Sequence, residues 1–444
     1  MGNQETSEFL DHAGRERVAI TGLGAVTGLG TGADALWDGL VAGRSAIRPI
    51  QGFDPTDLAC HIAAEVPELP PVPATIGPYE VEARPYVLAV SAALEALEQA
   101  RIDGVPRDRR AVAFSGGAAD LLLDVIAGTA HRVGPEGDDV LQLVPEDLPG
   151  AYPGEPSIGR LDHHCGALLP LVLAALVEAT QVTYLSTACA GGAQAIANGA
   201  RAIRLGDADL VLAGGVDCLV TRQIVSGFAK LSALSTRNDE PATASRPFDA
   251  SRDGFVLGEG AGVLVLESLR SARERGATVL AELAGAGLSG DAYRLTDPEP
   301  GGSGMTLSMR RALDDAGLDP DEVDYVNAHG TSTSMNDAAE TRALKGVLGD
   351  RARAIPISSS KSMIGHSIHA AGAVEAVVCV RSLAAQVVHP TQNLREADPA
   401  CDLDYVPLEA RPATMRVAMS NAFGFGGQNT TLVLTTPDRE AVGT

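Results

Sequence analysis

Two segments of this 444-residue chain have the pattern of helices built largely from alanine and glycine, and each begins beside a chemically reactive side chain. The first follows Cys189 and continues as AGGAQAIANGARAIRLG to Gly206, and the second follows His366 as HAAGAVEAVVCVRSLAAQ. Small side chains let backbones approach closely, and the 49 glycines of the chain favour the same dense packing. Because the two helices resemble each other, we predict a duplicated arrangement.

Strand and helix patterns alternate along the chain, as expected for an α/β fold. Apolar residues recur at helical spacing over 87–101, and strand patterns occupy 111–114 and 210–215. The strand pattern at 18–24 and the segment 281–287 both end in small residues and glycine, which adds a second internal similarity. The sequence therefore predicts two related α/β halves.

These similarities place a boundary between the halves near residues 268–278. We expect a flexible polar leader at 1–16, an N-terminal half at 17–270 and a C-terminal half at 271–444. The range 132–160 is rich in glycine, proline and acidic residues, so we expect a long surface excursion there.

Composition excludes several classes of function. The chain has 57 acidic and 34 basic side chains, and its formal charge of −23 argues against binding to the phosphate backbone of nucleic acid. The most apolar stretch, 166–176, is shorter than the roughly 18 residues that a membrane-spanning helix needs. The six cysteines form no C-x-x-C pair and no zinc-type spacing with histidine. We expect a reduced, cytoplasmic chain without a metal site, a membrane segment or a nucleic-acid partner.

The pair Gly22-x-Gly24 follows a buried strand and invites a dinucleotide-binding interpretation. The third glycine, Gly28, comes one residue late for the G-x-G-x-x-G pattern, and 25–27 is a poor helix start. We expect a glycine turn after the strand rather than a nucleotide site.

Cys189 lies where a loop enters the first small-residue helix. Unpaired N–H groups and the positive end of the helix dipole favour a thiolate there, so Cys189 is a candidate nucleophile with a lowered pKa. The alternative, a small buried apolar residue, stays open for Cys189. It is favoured for the other cysteines, which are Cys60, Cys165, Cys218, Cys379 and Cys401.

Two histidines occupy comparable positions at the ends of elements. His329 follows an apolar strand and enters the run GTST, and His366 ends the motif KSMIGH in front of the second helix. A structural role would be the default for either histidine alone, but two histidines and a cysteine in matching settings indicate a site. We interpret His369 as a packing residue and the adjacent His163 and His164 as a poor ligand pair.

Two glycine-dense runs complete the pattern. SNAFGFGGQN at 420–429 can bring backbone N–H groups close to a ligand oxygen, as an oxyanion hole requires, although a hairpin turn fits equally well. RPFD at 246–249 precedes RDGFVLGEGAG at 252–262, whose arginine and acidic residues would be costly to bury without partners.

These elements, in this order from about Val18 to Leu434, resemble the elongating, type II-like β-ketoacyl-acyl-carrier-protein synthases of the thiolase superfamily. The shared motifs are TACA around Cys189, RPFD with RDGFVLGEGAG, NAHGTST with Asp337 and Glu340, KSMIGH and NAFGFGG. The resemblance implies an α/β thiolase fold with duplicated halves in a five-layered αβαβα arrangement. It also implies decarboxylative Claisen condensation of an acyl-thioester primer with malonyl carrier protein, in fatty-acid or type II polyketide chain elongation.

The resemblance implies a role for each matching residue. Cys189 matches the nucleophile that takes the acyl group, and His329 and His366 match the pair that stabilises the malonyl enolate. Lys361 and Glu340 match the supporting charged residues.

The backbone N–H groups of Cys189 and Phe425 resemble the oxyanion hole, and Phe425, with Phe423 nearby, matches the gate of the acyl pocket. No tightly bound cofactor is implied, because the phosphopantetheine arm arrives on the acyl carrier protein. The resemblance also implies either a homodimer or a heterodimer with a chain-length-factor homologue.

Two alternatives come from the same superfamily. A coenzyme A-dependent thiolase needs a second cysteine in its C-terminal glycine motif, and FGFGGQN contains none. A non-catalytic subunit like the chain-length factor lacks the nucleophile, whereas this chain has Cys189, His329 and His366.

Three departures from the family pattern concern the substrate and the carrier. The segment 157–189 lacks the usual Gly-Pro-Ser lead-in, Gln428 replaces the usual threonine, and Ser232 stands where relatives often have an arginine that meets the carrier protein. Since the lead-in contributes to the dimer interface and the far end of the acyl pocket, it leaves the primer and the partner open. The altered segment favours specialised metabolism.

Overall fold

The computed structural model describes residues 7–116 and 168–437. The predicted excursion at 132–160 and the residues His163, His164 and Cys165 lie outside this part of the chain. The five cysteines within it are reduced and buried, and they are Cys60, Cys189, Cys218, Cys379 and Cys401.

The α-helices of the described residues are α1 Ala33–Val41, α2 Arg84–Ala100, α3 Leu169–Val177, α4 Gly191–Arg204, α5 Arg222–Lys230, α6 Leu269–Glu274, α7 Ser303–Ala316, α8 Ser334–Leu348, α9 Lys361–Ile364 and α10 Ile368–Ala385. Short 3-10 turns are Ser7–Phe9, Arg107–Arg109, Ala188–Ala190, Pro241–Thr243, Pro320–Glu322, Gly349–Arg353 and Phe425–Gly427.

The strands of the main sheet are β1 Val18–Thr27, β2 Arg110–Gly116, β3 Gln181–Leu185, β4 Leu210–Asp217, β5 Gly260–Ser268, β6 Ala281–Gly290, β7 Tyr325–Asn327, β8 Ile357–Ser358, β9 Val417–Gly424 and β10 Gln428–Thr435, with Gly30–Thr31 beside β1. Separate two-residue pairs are Arg48–Pro49 with Ile62–Ala63, Thr75–Ile76 with Tyr79–Glu80, and Val387–Val388 with Arg411–Pro412.

The order of strands across the main sheet is β8-β7-β9-β10-β6-β1-β5-β4-β2-β3, and it repeats the same pattern in both directions from the centre. In the N-terminal half, β1, β5 and β4 are antiparallel neighbours, and β2 and β3 then add in parallel. In the C-terminal half, β6, β10 and β9 are antiparallel, and β7 and β8 again add in parallel. This correspondence confirms the predicted duplication.

The two halves meet at a short pairing between β1 and β6. Ala19 pairs with Glu282 and Ile20 with Ala281, and no further pairs join these two strands in the described residues. By contrast, β1 pairs with β5 along nearly its whole length. The sheet is therefore continuous, but the join between its halves is narrow.

Helices lie on both sides of the strands and between the halves. In the middle, α4 and α10 pack together and contact strands of both halves. On the outside, α2 covers β1 and β5, and α7 covers β6 and β10 with α8 packed against it. The sequence of layers is helix, strand, helix, strand, helix, as expected for a five-layered αβαβα fold.

Glycines permit the close contacts of the middle layer. A Cβ atom on Gly262 of β5 would lie 2.4 Å from the backbone nitrogen of Val374 in α10. A Cβ atom on Gly192 of α4 would lie 2.8 Å from the carbonyl oxygen of His369, and one on Gly372 of α10 would lie 2.9 Å from the nitrogen of Ala193. No side chain fits at these contacts without movement of the backbone.

The predicted turn at Gly22 and Gly24 is wrong, because β1 continues to Thr27. Cβ atoms on these two glycines would lie 2.0 Å from the carbonyl oxygen of Ala96 and 1.8 Å from that of Ala92, both in α2. Gly22 and Gly24 therefore allow α2 to pack closely against β1. A local pattern of glycines does not distinguish this kind of contact from a turn.

Part of the predicted leader lies against the C-terminal half. Arg15 contacts Asp11 at 2.7 Å and Asp315 of α7 at 2.6 Å. Arg17, the first residue after the predicted leader, contacts Glu282 of β6 at 2.6 Å. The domain limits at residues 16 and 270 stay predictions.

By length and hydropathy alone, α10 is a helix that could cross a membrane. Most of its residues are buried inside the protein, where α10 forms the middle layer together with α4. Its apolar composition is accounted for by this position in the core.

Replacing Gly262 with alanine tests the middle-layer contact. We expect Gly262→Ala to lower the free energy of unfolding by about 3 kcal/mol, because the methyl group would overlap the α10 backbone. Gly227 in α5 has nothing within 4 Å of its Cβ position, so Gly227→Ala should be neutral or stabilising by about 0.5 kcal/mol. Urea unfolding measures both, and equal stability of the two variants would contradict the packing argument.

Candidate active site

Cys189 lies in the 3-10 turn between β3 and α4. Ala188 before it has φ 47°, in the left-handed region that residues other than glycine seldom adopt. The Cys189 side chain is 3% exposed, and the backbone N–H groups of Phe425 and of Cys189 itself are directed at its sulfur. Both amides predicted to form an oxyanion hole therefore lie beside the thiol.

The glycine-dense run after Arg252 holds His366 in place. The N–H of His366 donates to the carbonyl of Val256 at 2.8 Å, and the N–H of Gly258 donates to the carbonyl of His366 at 3.0 Å. A Cβ atom on Gly258 would lie 2.4 Å from the carbonyl oxygen of Ile364, so this strand-like contact requires glycine. The result places Nε2 of His366 3.0 Å from Sγ of Cys189.

Glu340 fixes the backbone of the loop that contains His329. The N–H groups of His329 and Gly330 each donate to one oxygen of the Glu340 carboxylate at 2.9 Å, and the Asn421 side chain donates to it at 3.1 Å. Burial raises the pKa of Glu340 to about 7, although these donors act in the opposite direction. The sequence resemblance implied a supporting role for Glu340, and the structure shows that Glu340 contacts the loop that contains His329.

The three predicted reactive side chains meet in one place. The sulfur of Cys189 and one nitrogen each of His329 and His366 all lie within 4.8 Å of one another. The two imidazole rings are 5.3 Å apart at 83° to each other. A sulfur and two nitrogens at this spacing also form a set that could hold a soft metal ion, which would take up the Cys189 sulfur as a ligand.

Burial sets the protonation states of the group. It lowers the pKa of His329 and of His366 well below the usual value, and the charge of Lys361 acts in the same direction. Both imidazoles are therefore neutral at physiological pH.

The expected low pKa of Cys189 is wrong. Burial raises the pKa of its thiol to about 11, and the Phe425 N–H and the charge of Lys361 only partly oppose this effect. Loss of hydration penalises the thiolate more than the helix terminus stabilises it. The resting side chain is a neutral thiol.

Lys361 forms a buried ion pair with Glu375 of α10. Both residues are 1% exposed. Burial raises the pKa of Glu375, and the neighbouring Lys361 ammonium opposes that shift. Sequence reasoning missed Glu375, although a glutamate in the middle of an otherwise small and apolar helix was the available signal.

Arg252 anchors the loop that follows His329. Its guanidinium donates to the carbonyl oxygens of Thr333 at 3.0 Å and Ser334 at 2.9 Å, and it contacts Asp398 at 2.7 Å and Asp337 at 3.5 Å. We expected the charged residues of the glycine-dense run 252–262 to be paired where they are buried, and Arg252 is paired in this way. Sequence reasoning missed Asp398.

A cavity of about 240 Å³ connects the reactive group with the surface. Its lining includes the buried residues Cys189, His329 and His366 and the exposed residues Leu231 and Met335. The thiol therefore shares one cavity with residues at the protein surface.

The two phenylalanines proposed for the gate line different parts of this cavity. The ring of Phe423 lies 5.9 Å from that of His329, and the ring of Phe425 lies 6.1 Å from that of Phe228 in α5. Ser232, the departure at the predicted carrier contact, is exposed at the mouth of the cavity.

Comparison with known proteins assigns most of the chain to one family. Residues 15–139 and 173–272 match the family described as "Beta-ketoacyl synthase, N-terminal domain", and residues 280–395 match "Beta-ketoacyl synthase, C-terminal domain". The chain is 41% identical over 427 residues to "3-oxoacyl-[acyl-carrier-protein] synthase 2" of Coxiella burnetii, covering 95% of this chain and 98% of that protein.

Solved structures also resemble most of the chain. A type II polyketide synthase ketosynthase, determined with its acyl-carrier protein and bound to the hexaketide, has a TM-score of 0.83 at 32% identity and covers 95% of this chain and 100% of its own. The ishigamide ketosynthase/chain length factor has a TM-score of 0.83 at 35% identity and covers 95% and 99%. These similarities confirm the predicted thiolase fold.

The buried pair of Lys361 and Glu375 can be tested by removing one charge and then both. We expect Lys361→Met to lower the free energy of unfolding by about 3 kcal/mol, because it leaves Glu375 buried without a partner. Adding Glu375→Gln to that variant should recover part of the loss. Urea unfolding of the two single variants and the double variant measures the coupling, and purely additive effects would contradict a direct interaction.

Proposed function

Because this chain belongs to the β-ketoacyl synthase family, we propose that Cys189, His329 and His366 form the active site with which it catalyses elongating β-ketoacyl-acyl-carrier-protein synthesis. The chain is an acyltransferase of this class. The observation that carries the assignment of residues is the meeting of one thiol and two neutral imidazoles at the inner end of a cavity that reaches the surface. A chain-length-factor-like subunit without catalysis would have no need for this arrangement.

The first half of the reaction transfers the acyl group to Cys189. Because the resting thiol is neutral, its proton has to leave as the sulfur attacks the thioester carbonyl, and Nε2 of His366 at 3.0 Å is in place to accept it. The N–H groups of Cys189 and Phe425 stabilise the oxyanion. The bond to the phosphopantetheine sulfur then breaks, and the proton passes to that leaving sulfur.

The second half forms the new carbon–carbon bond. Loss of carbon dioxide from the malonyl thioester leaves its bonding electrons in an enolate, whose oxygen needs hydrogen-bond donors rather than a strong base. A neutral imidazole has one N–H, so His329 and His366 each supply one such donor. Because Nε2 of His366 accepts a proton in the first half-reaction, His366 has to change to the tautomer with its proton on Nε2 before it donates in the second. The enolate carbon attacks the acyl carbonyl, and the Cys189 sulfur leaves as the ketoacyl product forms on the carrier.

The substrates arrive on an acyl carrier protein, whose phosphopantetheine arm reaches Cys189 through the cavity, and no tightly bound cofactor takes part. The relatives include a fatty-acid-type synthase and a type II polyketide ketosynthase, so the chain acts in one of these pathways in the cytoplasm. It works as a homodimer or as a heterodimer with a chain-length-factor homologue. Co-purification with a homologue that lacks the cysteine distinguishes the two assemblies, and a panel of carrier-bound primers identifies the acyl group.

Replacing the thiol tests the nucleophile. We expect Cys189→Ala to abolish acyl transfer, and intact-mass measurement after incubation with acyl carrier protein to show no acyl adduct on this variant. Cys60→Ala, which removes another buried thiol, is the matched control and should be acylated like the parent. Chain elongation by Cys189→Ala at the parent rate would refute the assignment.

Replacing each histidine separates the two half-reactions. We expect His329→Ala to slow malonyl decarboxylation by about 100-fold and to leave self-acylation largely intact. His366→Ala should slow both steps, because it removes the group that accepts the thiol proton.

The residual acylation of His366→Ala then requires free thiolate. Since the pKa of Cys189 is raised to about 11, the acylation rate of this variant should rise about tenfold per pH unit from about pH 7 to pH 10. Single-turnover acylation followed by mass spectrometry measures this slope. A pH-independent rate in the variant would show that another group takes the proton.

A further inference from the structure

His369 does more than the packing role expected from its sequence. Both its backbone N–H and its ring Nδ1 contact the same oxygen of Asp217, at 2.9 and 2.8 Å. Asp217 is 2% exposed, and its other oxygen accepts the N–H of Cys218 at 3.1 Å. The carboxylate therefore joins the end of β4 to the first turn of α10, three residues after His366.

The other side of the His369 ring faces the turn that carries the nucleophile. Its Nε2 lies 3.5 Å from Oγ of Ser186, three residues before Cys189. A Cβ atom on Gly191, two residues after Cys189, would lie 3.6 Å from Cδ2 of the ring. The imidazole thus fills the space between the start of α10 and the start of α4.

We propose that His369 and Asp217 are a positioning pair, which holds the turn of His366 against the turn of Cys189 and whose charge state sets the reactivity of the Cys189 thiol. The inference rests on the proposed function, because it concerns the nucleophile assigned there. Neither residue touches the reacting atoms, and both act through Cys189 and His366.

The charge of the pair depends on His369. With a neutral imidazole the pair has one negative charge, which opposes formation of a second negative charge on the nearby sulfur. With a protonated imidazole the pair is neutral, and this opposition disappears. Burial is the main cause of the raised pKa of Cys189 and of the lowered pKa of His366, and the charges of Asp217 and His369 add to these two shifts in the same directions.

Other titratable groups also face this region in the described residues. Tyr184 of β3 donates to the carbonyl of Gly116 at 2.6 Å, and the remaining groups surround the thiol. They are His366 ahead of α10, His329 after β7, Lys361 of α9 and Glu375 of α10. Since these groups stay unchanged when Asp217 or His369 is replaced, differences between variants report the pair.

The test measures the alkylation of Cys189 by iodoacetamide from about pH 6 to pH 9 in Asp217→Asn and His369→Gln. Asp217→Asn removes the negative charge, and His369→Gln makes it permanent. We expect Asp217→Asn to react about threefold or more faster than His369→Gln at every pH. The rate of the parent should lie between the rates of these two variants.

Three controls isolate the effect. Cys189→Ala measures background alkylation, and thermal unfolding confirms that the variants are folded. His12→Gln, which replaces a histidine packed against Gly317 at the end of α7, should retain the parent profile. His369→Asn is a second variant that should behave like His369→Gln.

A purely structural role predicts a different outcome, since both substitutions disturb the same hydrogen bond. Rates that change in the same direction and to the same extent in Asp217→Asn and His369→Gln would overturn the proposal. Alkylation requires no carrier protein, so this result is independent of the acyl-transfer assay. Failure of the parent to accept an acyl group would instead refute the proposed function.

Discussion

The contact between α4 and α10 is the constraint on which the site depends. Each helix begins beside a reactive residue, so the separation of the two helices sets the separation of Cys189 and His366. Gly192 and Gly372 let the backbones of the two helices meet, because at these positions even a methyl group would collide with the facing helix. The duplicated sheet places one helix from each half in the same layer, and the 3.0 Å contact between sulfur and imidazole follows from that arrangement.

Burial of this contact has two opposite chemical effects. It keeps both imidazoles neutral, which suits hydrogen-bond donation to an enolate, and it raises the pKa of the thiol, which disfavours a free thiolate. The structure resolves this conflict by placing a proton acceptor directly against the sulfur. Under the proposed function, activation of Cys189 is therefore coupled to attack on a substrate, and the resting side chain is a weakly reactive thiol.

Buried charged groups around the site hold backbone rather than substrate. Glu340 binds the N–H groups at His329, Arg252 binds the carbonyl groups of the following loop, and Asp217 binds the first turn of α10. Each side chain satisfies groups at the end of an element that the regular hydrogen-bonding pattern leaves unpaired. The side chains of Cys189, His329 and His366 are thereby fixed in position through their backbone, and none of the three supporting contacts blocks the cavity that these side chains line.

The sequence by itself determined the duplication and singled out Cys189, His329 and His366 as candidates for one site, since both inferences depend on the local spacing of small, apolar and polar residues. Only the tertiary structure decided that Gly22 and Gly24 face a helix, that Lys361 pairs with Glu375, that His369 binds Asp217 and that Cys189 is a neutral thiol. The physical reason is that partners and pKa values are set by atoms far apart along the chain, such as those of Cys189 and His366, which are 177 positions apart. Burial and nearby charges depend on which residues meet in space, and a local sequence pattern does not contain that information.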